Sequence, residues 1–222
     1  MLRTKPRVLI ADDHPLIVEG LRTILAPDFE IIATVTDGVS LVTQAELLKP
    51  DIILLDIGMP LLNGMDAARR VRNVSPLARI VFVTQRTDRE YVQSAFRSGA
   101  SAYVVKQAAA GELVTALHEV MAGRYYVSPM VRNGISEELL HAKRNPGDLF
   151  AGGLTARQRE VLQLVAEGKA AKEIAALLDI SVKTVEYHKA GIMETLGLRS
   201  IAELTRYAIE HGMLTYQPFG QP

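Results

Sequence analysis

DIILLD, residues 51–56, is a run of four aliphatic residues closed on each side by an aspartate. A strand with one solvated face alternates apolar and polar positions, whereas an unbroken aliphatic run belongs to a strand covered on both faces. Runs of similar character stand on either side of it: RVLIA (7–11), EIIATV (30–35), RIVFVT (79–84) and SAYVVK (101–106). Between them lie segments with a helical apolar period, about 14–25, 38–48, 64–74 and 88–97, and a fifth, 110–122, follows the last run. Five such units imply a parallel sheet with helices on both faces, because parallel neighbours need a crossover connection. The expectation is a five-stranded parallel, doubly wound α/β domain over residues 1–123.

Beyond it the pattern breaks. Gly123, Pro129, Gly134, Asn145-Pro146-Gly147 and Gly152-Gly153 punctuate the chain, which reads as a linker over 124–153 with one short helix between about 128 and 143. From Leu154 the period is helical throughout. Thr155-x-x-Gln158 and Ser200-x-x-Glu203 have the form of capping boxes, and four short helices fit before Met213. The second domain is therefore expected to be small and all-α, over residues 154–216.

Composition narrows the classes of function. The 222 residues carry 25 Lys and Arg against 25 Asp and Glu, so overall charge demands neither an anionic nor a cationic partner. The absence of cysteine removes disulfide scaffolds, thiolate zinc sites and cysteine nucleophiles together. The opening MLRTKPRVLIADD holds only VLIA before two aspartates, short of the apolar core of about 7 to 15 residues in a secretory signal. A cytoplasmic protein is expected.

Four features fall where strands end: Asp12-Asp13, Asp56, Thr84 and Lys106. The carboxyl ends of the strands are where an open parallel sheet binds ligands, so residues far apart in sequence should converge there. Three aspartates in one pocket repel unless a cation compensates; with one Mg²⁺ and Lys106 the formal sum of −3, +2 and +1 is zero. A metal and a lysine aimed at one carboxylate suggest phosphoryl transfer onto it, with Asp56 the nucleophile and Thr84 donating its hydroxyl to the new phosphoryl group. Taken singly, each residue has an ordinary reading, an Asp as a turn residue or a Thr as a strand former.

In the second domain, KEIAALLDISVKTVEYHKAGIM (172–193) reads as two helices around a tight turn at Asp179, with Ser181 capping the second. Ile174, Leu177 and Leu178 form an apolar stripe on the first helix, and Val185, Ile192 and Leu196 face inward on the second. The opposite stripe is Lys183, Glu186, Tyr187 and Ala190; in a major groove Glu186 can accept from cytosine, Lys183 can meet phosphate or guanine, and Tyr187 can pack on a thymine methyl or a phosphate. From 151 to 222 there are eight basic and eight acidic residues, so any electrostatic footprint on DNA must come from the local cluster Lys169, Lys172, Lys183 and Lys189. Helix pairs of this kind also occur in proteins that bind no DNA.

These motifs resemble a known family. LIADDHPLIVEGL, IILLDIGMPLLNGMDAARRVR, VFVTQ and SGASAYVVKQ are similar to the receiver domain of two-component response regulators, and LTARQREVLQLVAEGKAAKEIAALLDISVKTVEYHKAGIMETLGLRSIAEL to the LuxR-type helix-turn-helix domain. The whole chain resembles the NarL/FixJ class. The resemblance implies a transcriptional regulator, not an enzyme, whose Asp56 accepts phosphate from a sensor histidine kinase. It implies that Asp12, Asp13, Asp56 and the backbone carbonyl of Gly58 hold Mg²⁺, and that Thr84, Lys106 and the switch aromatic Tyr103 sense the phosphoryl group. Tyr103 also has the plainer reading of an aromatic filling a strand-end gap. On double-stranded DNA, Lys183, Thr184, His188 and Lys189 are expected on phosphates, Glu186, Tyr187 and Ala190 toward bases, and the helix after Ser200 in a phosphorylation-dependent homodimer. His188 has a competing reading as a packed, hydrogen-bonded imidazole. The sequence departs from the family at Gln107, where Pro is common, and at Ala171, Asp179 and Ala190-Gly191, which puts the base contacts in question.

Overall fold

The unbroken aliphatic runs become strands because two layers of helices cover them. The computed structural model describes residues 5–107, 110–133, 135 and 152–214. Strands β1 (Arg7–Ala11), β2 (Glu30–Val35), β3 (Ile52–Leu55), β4 (Arg79–Thr84) and β5 (Ala100–Val105) pair in parallel in the order 2-1-3-4-5, and a short β6 (Tyr126–Val127) adds to β5. Helices α1 (Pro15–Leu25), α2 (Gly38–Leu48), α3 (Gly64–Val74), α4 (Arg89–Arg97) and α5 (Ala110–Met121) make the crossovers.

The period-2 alternation of each strand sorts side chains between two cores. Val8, Ile10, Ile52, Leu54 and Val81 pack with Leu21 and Leu25 of α1 and Leu113 and Leu117 of α5. Their neighbours Leu9, Ile53, Leu55, Ile80 and Phe82 pack against α2, α3 and α4 through Leu41, Met65, Val71, Val92 and Phe96. Burial on both faces is why β3 reads as IILL with no polar position. The strand order reverses between β1 and β3, and the crevice for a ligand opens at the carboxyl ends of those strands.

All five expected strands and five expected helices form, and the sheet gains β6 from the stretch read as linker. Two residues are too few to show a period; they become a strand because β5 offers an unpaired edge at Ala102 and Tyr103. Of the short helix expected between 128 and 143, the described part is a single 3-10 turn, Pro129–Val131. Residue 134 and residues 136–151 lie outside the described residues.

The C-terminal part folds as α6 (Ala156–Ala166), α7 (Ala171–Leu178), α8 (Val182–Leu196) and α9 (Ile201–Glu210). Thr155 and Gln158 form the expected reciprocal capping box, and Ser181 and Ser200 cap α8 and α9 by accepting from Thr184 N and Glu203 N. Asp179 closes α7 in the left-handed conformation at φ 50°, which an aspartate tolerates. Leu154, Val161, Leu162, Ile174, Val185, Ile192, Leu204 and Met213 make the core. The stripe on α7 differs from expectation. Leu177 is 50% exposed, whereas Ile174, Ala175 and Leu178 of α7 pack into the core. Gly191 faces α6, where a Cβ would come 3.2 Å from Gln158 Nε2, the end of a side chain.

One glycine ties the fold to the crevice. The amide of Gly64, the first residue of α3, donates to Ile57 O at 2.8 Å, and a Cβ at this position would fall 2.0 Å from the carbonyl oxygen of Asp56. No side chain fits that gap without moving the backbone beneath Asp56. Gly64→Ala is accordingly expected to cost about 1–3 kcal/mol, the usual range for overpacking. Urea unfolding checks it, and an unchanged midpoint would refute the close approach.

Candidate functional site

The four strand-end features meet. Asp12 and Asp13 follow β1, Asp56 follows β3, Thr84 ends β4 and Lys106 follows β5. Lys106 Nζ lies 2.8 Å from both Asp12 Oδ2 and Asp56 Oδ2, and its side chain is only 5% exposed. The other oxygen of Asp56 accepts from the Ile57 amide at 2.7 Å. Burial pulls the Lys106 ammonium down, but the charge of Asp56 and the hydrogen bonds and charge of Asp12 outweigh it, and its pKa rises.

Ligand atoms of Asp12, Asp13, His14 and Asp56 lie within 4.8 Å of one another. His14 Nδ1 bonds Asp12 Oδ1 at 3.0 Å. Asp13 Oδ1 is 2.9 Å from the same nitrogen, off the direction of a hydrogen bond, and is a buried oxygen without a hydrogen-bond partner among the described residues. Burial pushes the Asp13 carboxyl up, His14 draws it back, and Asp56 and Asp12 add to the rise. An acidic cluster with an unsatisfied hard oxygen suits a small divalent cation. His14 was not singled out from sequence, although its place directly after two aspartates was a usable signal.

The crevice is a cavity of about 270 Å³ bounded by Asp56, Gly58, Thr84, Arg86 and Lys106 on one side and by Gly212 and Leu214 of the helical domain on the other. Thr84 is buried, and its Oγ1 accepts from the Arg86 amide at 3.3 Å. Tyr103 is fully buried, its hydroxyl donating to the Arg86 carbonyl at 2.9 Å, and burial raises its phenol well above the ordinary range. Thr84 and Tyr103 thus hold one residue, Arg86, by its two backbone groups. The Arg86 guanidinium in turn lies over the Tyr91 ring, 5.1 Å from its centre.

On α8, Lys183, Glu186, Tyr187 and Ala190 are exposed together, Tyr187 at 76%. Lys189 Nζ pairs with Glu186 Oε1 at 3.0 Å, which leaves the stripe less acidic than its sequence suggests. Lys172 is exposed in the first turn of α7, and Thr184, whose hydroxyl shares a bond with Ser181, is half-buried. His188 is half-buried, and its ring meets that of Tyr187 edge to face at 5.8 Å between centres. None of the described helices is long and apolar enough to cross a membrane.

Comparison with known proteins matches the profile of the response regulator receiver domain over residues 8–118 and that of bacterial regulatory proteins of the luxR family over 153–208. The transcriptional regulatory protein MctR of Rhizobium johnstonii is 35% identical over 216 residues, 96% of this chain and 97% of its own length. The oxygen regulatory protein NreC of Staphylococcus aureus is 36% identical over 217 residues, 95% of this chain and all of its own. Among solved structures, RcsB dimers bound to DNA share 25% identity over 92% of this chain and 98% of that one, with a TM-score of 0.55.

A lysine whose pKa rises on folding stabilises the fold below its ordinary value and loses that contribution only as pH climbs through the raised one. Lys106→Met leaves Asp12 and Asp56 facing each other without a cation. It should cost about 3–5 kcal/mol near neutral pH, as loss of one partner from a buried pair does. The cost should shrink at high pH, where the wild-type lysine loses its own proton and leaves the two carboxylates just as uncompensated. Denaturant unfolding at both pH values measures this; an equal loss would mean that packing, not charge, is what Lys106 supplies.

Proposed function

The chain belongs to the response regulators that join a receiver domain to a LuxR-type helix-turn-helix domain, and on that premise we propose that phosphorylation of Asp56 by a sensor histidine kinase sets its hold on DNA. It is a two-component DNA-binding transcriptional regulator, of a family that is not enzymatic. The observation that carries the proposal is Lys106 Nζ at 2.8 Å from Asp56 Oδ2, in one cavity with Thr84.

An Asp56 oxygen attacks the phosphorus of a phosphohistidine, the P–N bond breaks, and the imidazole leaves with its electron pair. Asp12, Asp13, Asp56 and the carbonyl of Gly58 would hold Mg²⁺, which when bound supplies positive charge to the transferring group. The hard oxygen donors and the unsatisfied Asp13 Oδ1 support that assignment. Lys106, already on Asp56, pairs a second phosphoryl oxygen. Thr84 turns its hydroxyl from the Arg86 amide to a third, and Tyr103 follows through the Arg86 carbonyl it holds. The new charge thereby reaches the loop ahead of α4.

On double-stranded DNA, the exposed stripe of α8 enters the major groove with Glu186, Tyr187 and Ala190 toward bases. Lys172, Lys183, Thr184, His188 and Lys189 approach phosphates. Helix α9, with Ile201 54% exposed, supports a phosphorylation-dependent homodimer in the cytoplasm.

The test is intact mass, size exclusion and DNA mobility shift on wild type and Asp56→Asn after incubation with Mg²⁺ and acetyl phosphate. The wild type alone should gain one phosphoryl group, dimerise and bind DNA on the order of 10-fold more tightly. A gain by Asp56→Asn, or no change in either protein, would overturn the proposal. On DNA, Lys183→Ala should weaken binding to all sequences and lower the salt slope by about 1, whereas Tyr187→Ala should change which sequences are preferred. Titration at several salt concentrations separates the two effects.

A further inference from the structure

His14 stands inside the acidic crevice, and its backbone fixes where its ring can go. Pro15 follows it and disfavours helical backbone at His14, which is extended at φ −100° and ψ 102°. Its amide donates to Asp12 Oδ1 at 2.9 Å. The residue occupies the N-cap position of α1 yet makes no side-chain capping bond. The ring turns to the carboxylates instead, and lines the same cavity as Asp56 and Lys106.

Two distances from one ring nitrogen define the arrangement. Nδ1 is 3.0 Å from Asp12 Oδ1 and 2.9 Å from Asp13 Oδ1. A proton on Nδ1 can be shared with Asp12, but the Asp13 contact lies off the direction of a hydrogen bond, and Asp13 Oδ1 is buried without a hydrogen-bond partner among the described residues. A hydrogen bond therefore accounts for one contact and leaves the other unexplained. With the ring proton on Nε2, Nδ1 presents a lone pair, and two carboxylate oxygens and one nitrogen from consecutive residues then gather as electron-pair donors. One atom each from Asp12, Asp13, His14 and Asp56 lies within 4.8 Å of all the others. Neighbouring ligands of an octahedral cation, each about 2.1 Å from the metal, stand roughly 3.0 Å apart. Both His14 distances match that separation, so its nitrogen sits where a co-ligand of the two aspartates would.

Donor type decides what such a position is worth. An imidazole nitrogen suits Zn²⁺, Ni²⁺ and Fe²⁺, whereas Mg²⁺ is served by oxygen. The aspartates can serve either kind of cation; the ring favours only the first.

We propose that His14 is itself a metal ligand, which gives the crevice a mixed nitrogen and oxygen donor set and a preference for a divalent transition cation of the zinc class over Mg²⁺. The inference rests on the reading that Asp12, Asp13 and Asp56 hold a divalent cation, and adds to it the residue that selects among cations.

The experiment titrates the metal-free full chain with Zn²⁺ and with Mg²⁺ by calorimetry, for wild type, His14→Gln and, as a control for exposed histidines, His118→Gln. Only the Zn²⁺ that excess Mg²⁺ displaces is counted. A second arm follows the ring resonances of ¹⁵N-histidine in the wild type as each cation is added, and so needs no substitution. His14→Gln should lose on the order of 10- to 100-fold in Zn²⁺ affinity while its Mg²⁺ affinity stays within about 3-fold of wild type. His118→Gln should match the wild type for both cations. In the wild type one ring nitrogen, the one missing from the His14→Gln spectrum, should shift with Zn²⁺ and not with Mg²⁺. An equal loss of both cations in His14→Gln would make His14 a positioning group for Asp12 and Asp13 and overturn its role as ligand. An unchanged Zn²⁺ affinity would overturn it too, and in both cases the carboxylates keep their cation. Where His14→Gln does not fold, the wild-type resonances decide, and displaceable Zn²⁺ that moves no histidine nitrogen overturns the ligand. Failure of the wild type to bind either cation would remove the carboxylate assignment and the inference with it.

Discussion

A buried ammonium shared by two carboxylates is the interaction on which the rest of the receiver depends. Asp12 and Asp56 end different strands, and two buried carboxylates that face each other repel unless a cation stands between them. Lys106 comes from a third strand, so the ion triad pins the carboxyl ends of β1, β3 and β5 to one another. That constraint gives the crevice its shape before any metal or phosphoryl group arrives. It also leaves Asp13, which Lys106 does not reach, as the carboxylate with oxygen to spare.

Much of this was legible in the sequence, and the reason is periodicity. Strands buried on both faces leave long apolar runs, helices leave a 3.6-residue stripe, and the topology of a parallel sheet then dictates which strand ends meet. Asp12, Asp56, Thr84 and Lys106 could be brought together on that basis alone. The edge strand β6 is two residues long and left no period to read. Leu177 belongs to the apolar stripe of α7 yet is half exposed, while the small Ala175 is buried, a choice that periodicity does not record.

The contact between domains was illegible for a different reason. Arg159, Glu160 and Gln163 form the polar face of α6, and a polar face on a short helix reads as solvated. All three are buried, because the receiver supplies the partners: Asp66, Arg70, Met59 and Asn63. A sequence records which side chains can pair; it does not record that a partner lies about 90 positions upstream on another domain. The neutral charge of the helical domain is a related case, since a count does not record that Glu186 is matched by Lys189 on its own helix.

Leu61 carries a consequence of its own. Its backbone sits at φ 64°, in the left-handed region where a residue with a bulky side chain pays roughly 1–2 kcal/mol in steric crowding. The receiver's own turn holds it there, the Leu62 amide donating to the Pro60 carbonyl at 2.7 Å, while the helical domain takes its amide on Glu167 and its side chain against a core. The crowding at Leu61 is therefore shared between a tight turn of the receiver and the neighbouring domain's core, and a glycine there would relieve the backbone at the expense of the packing.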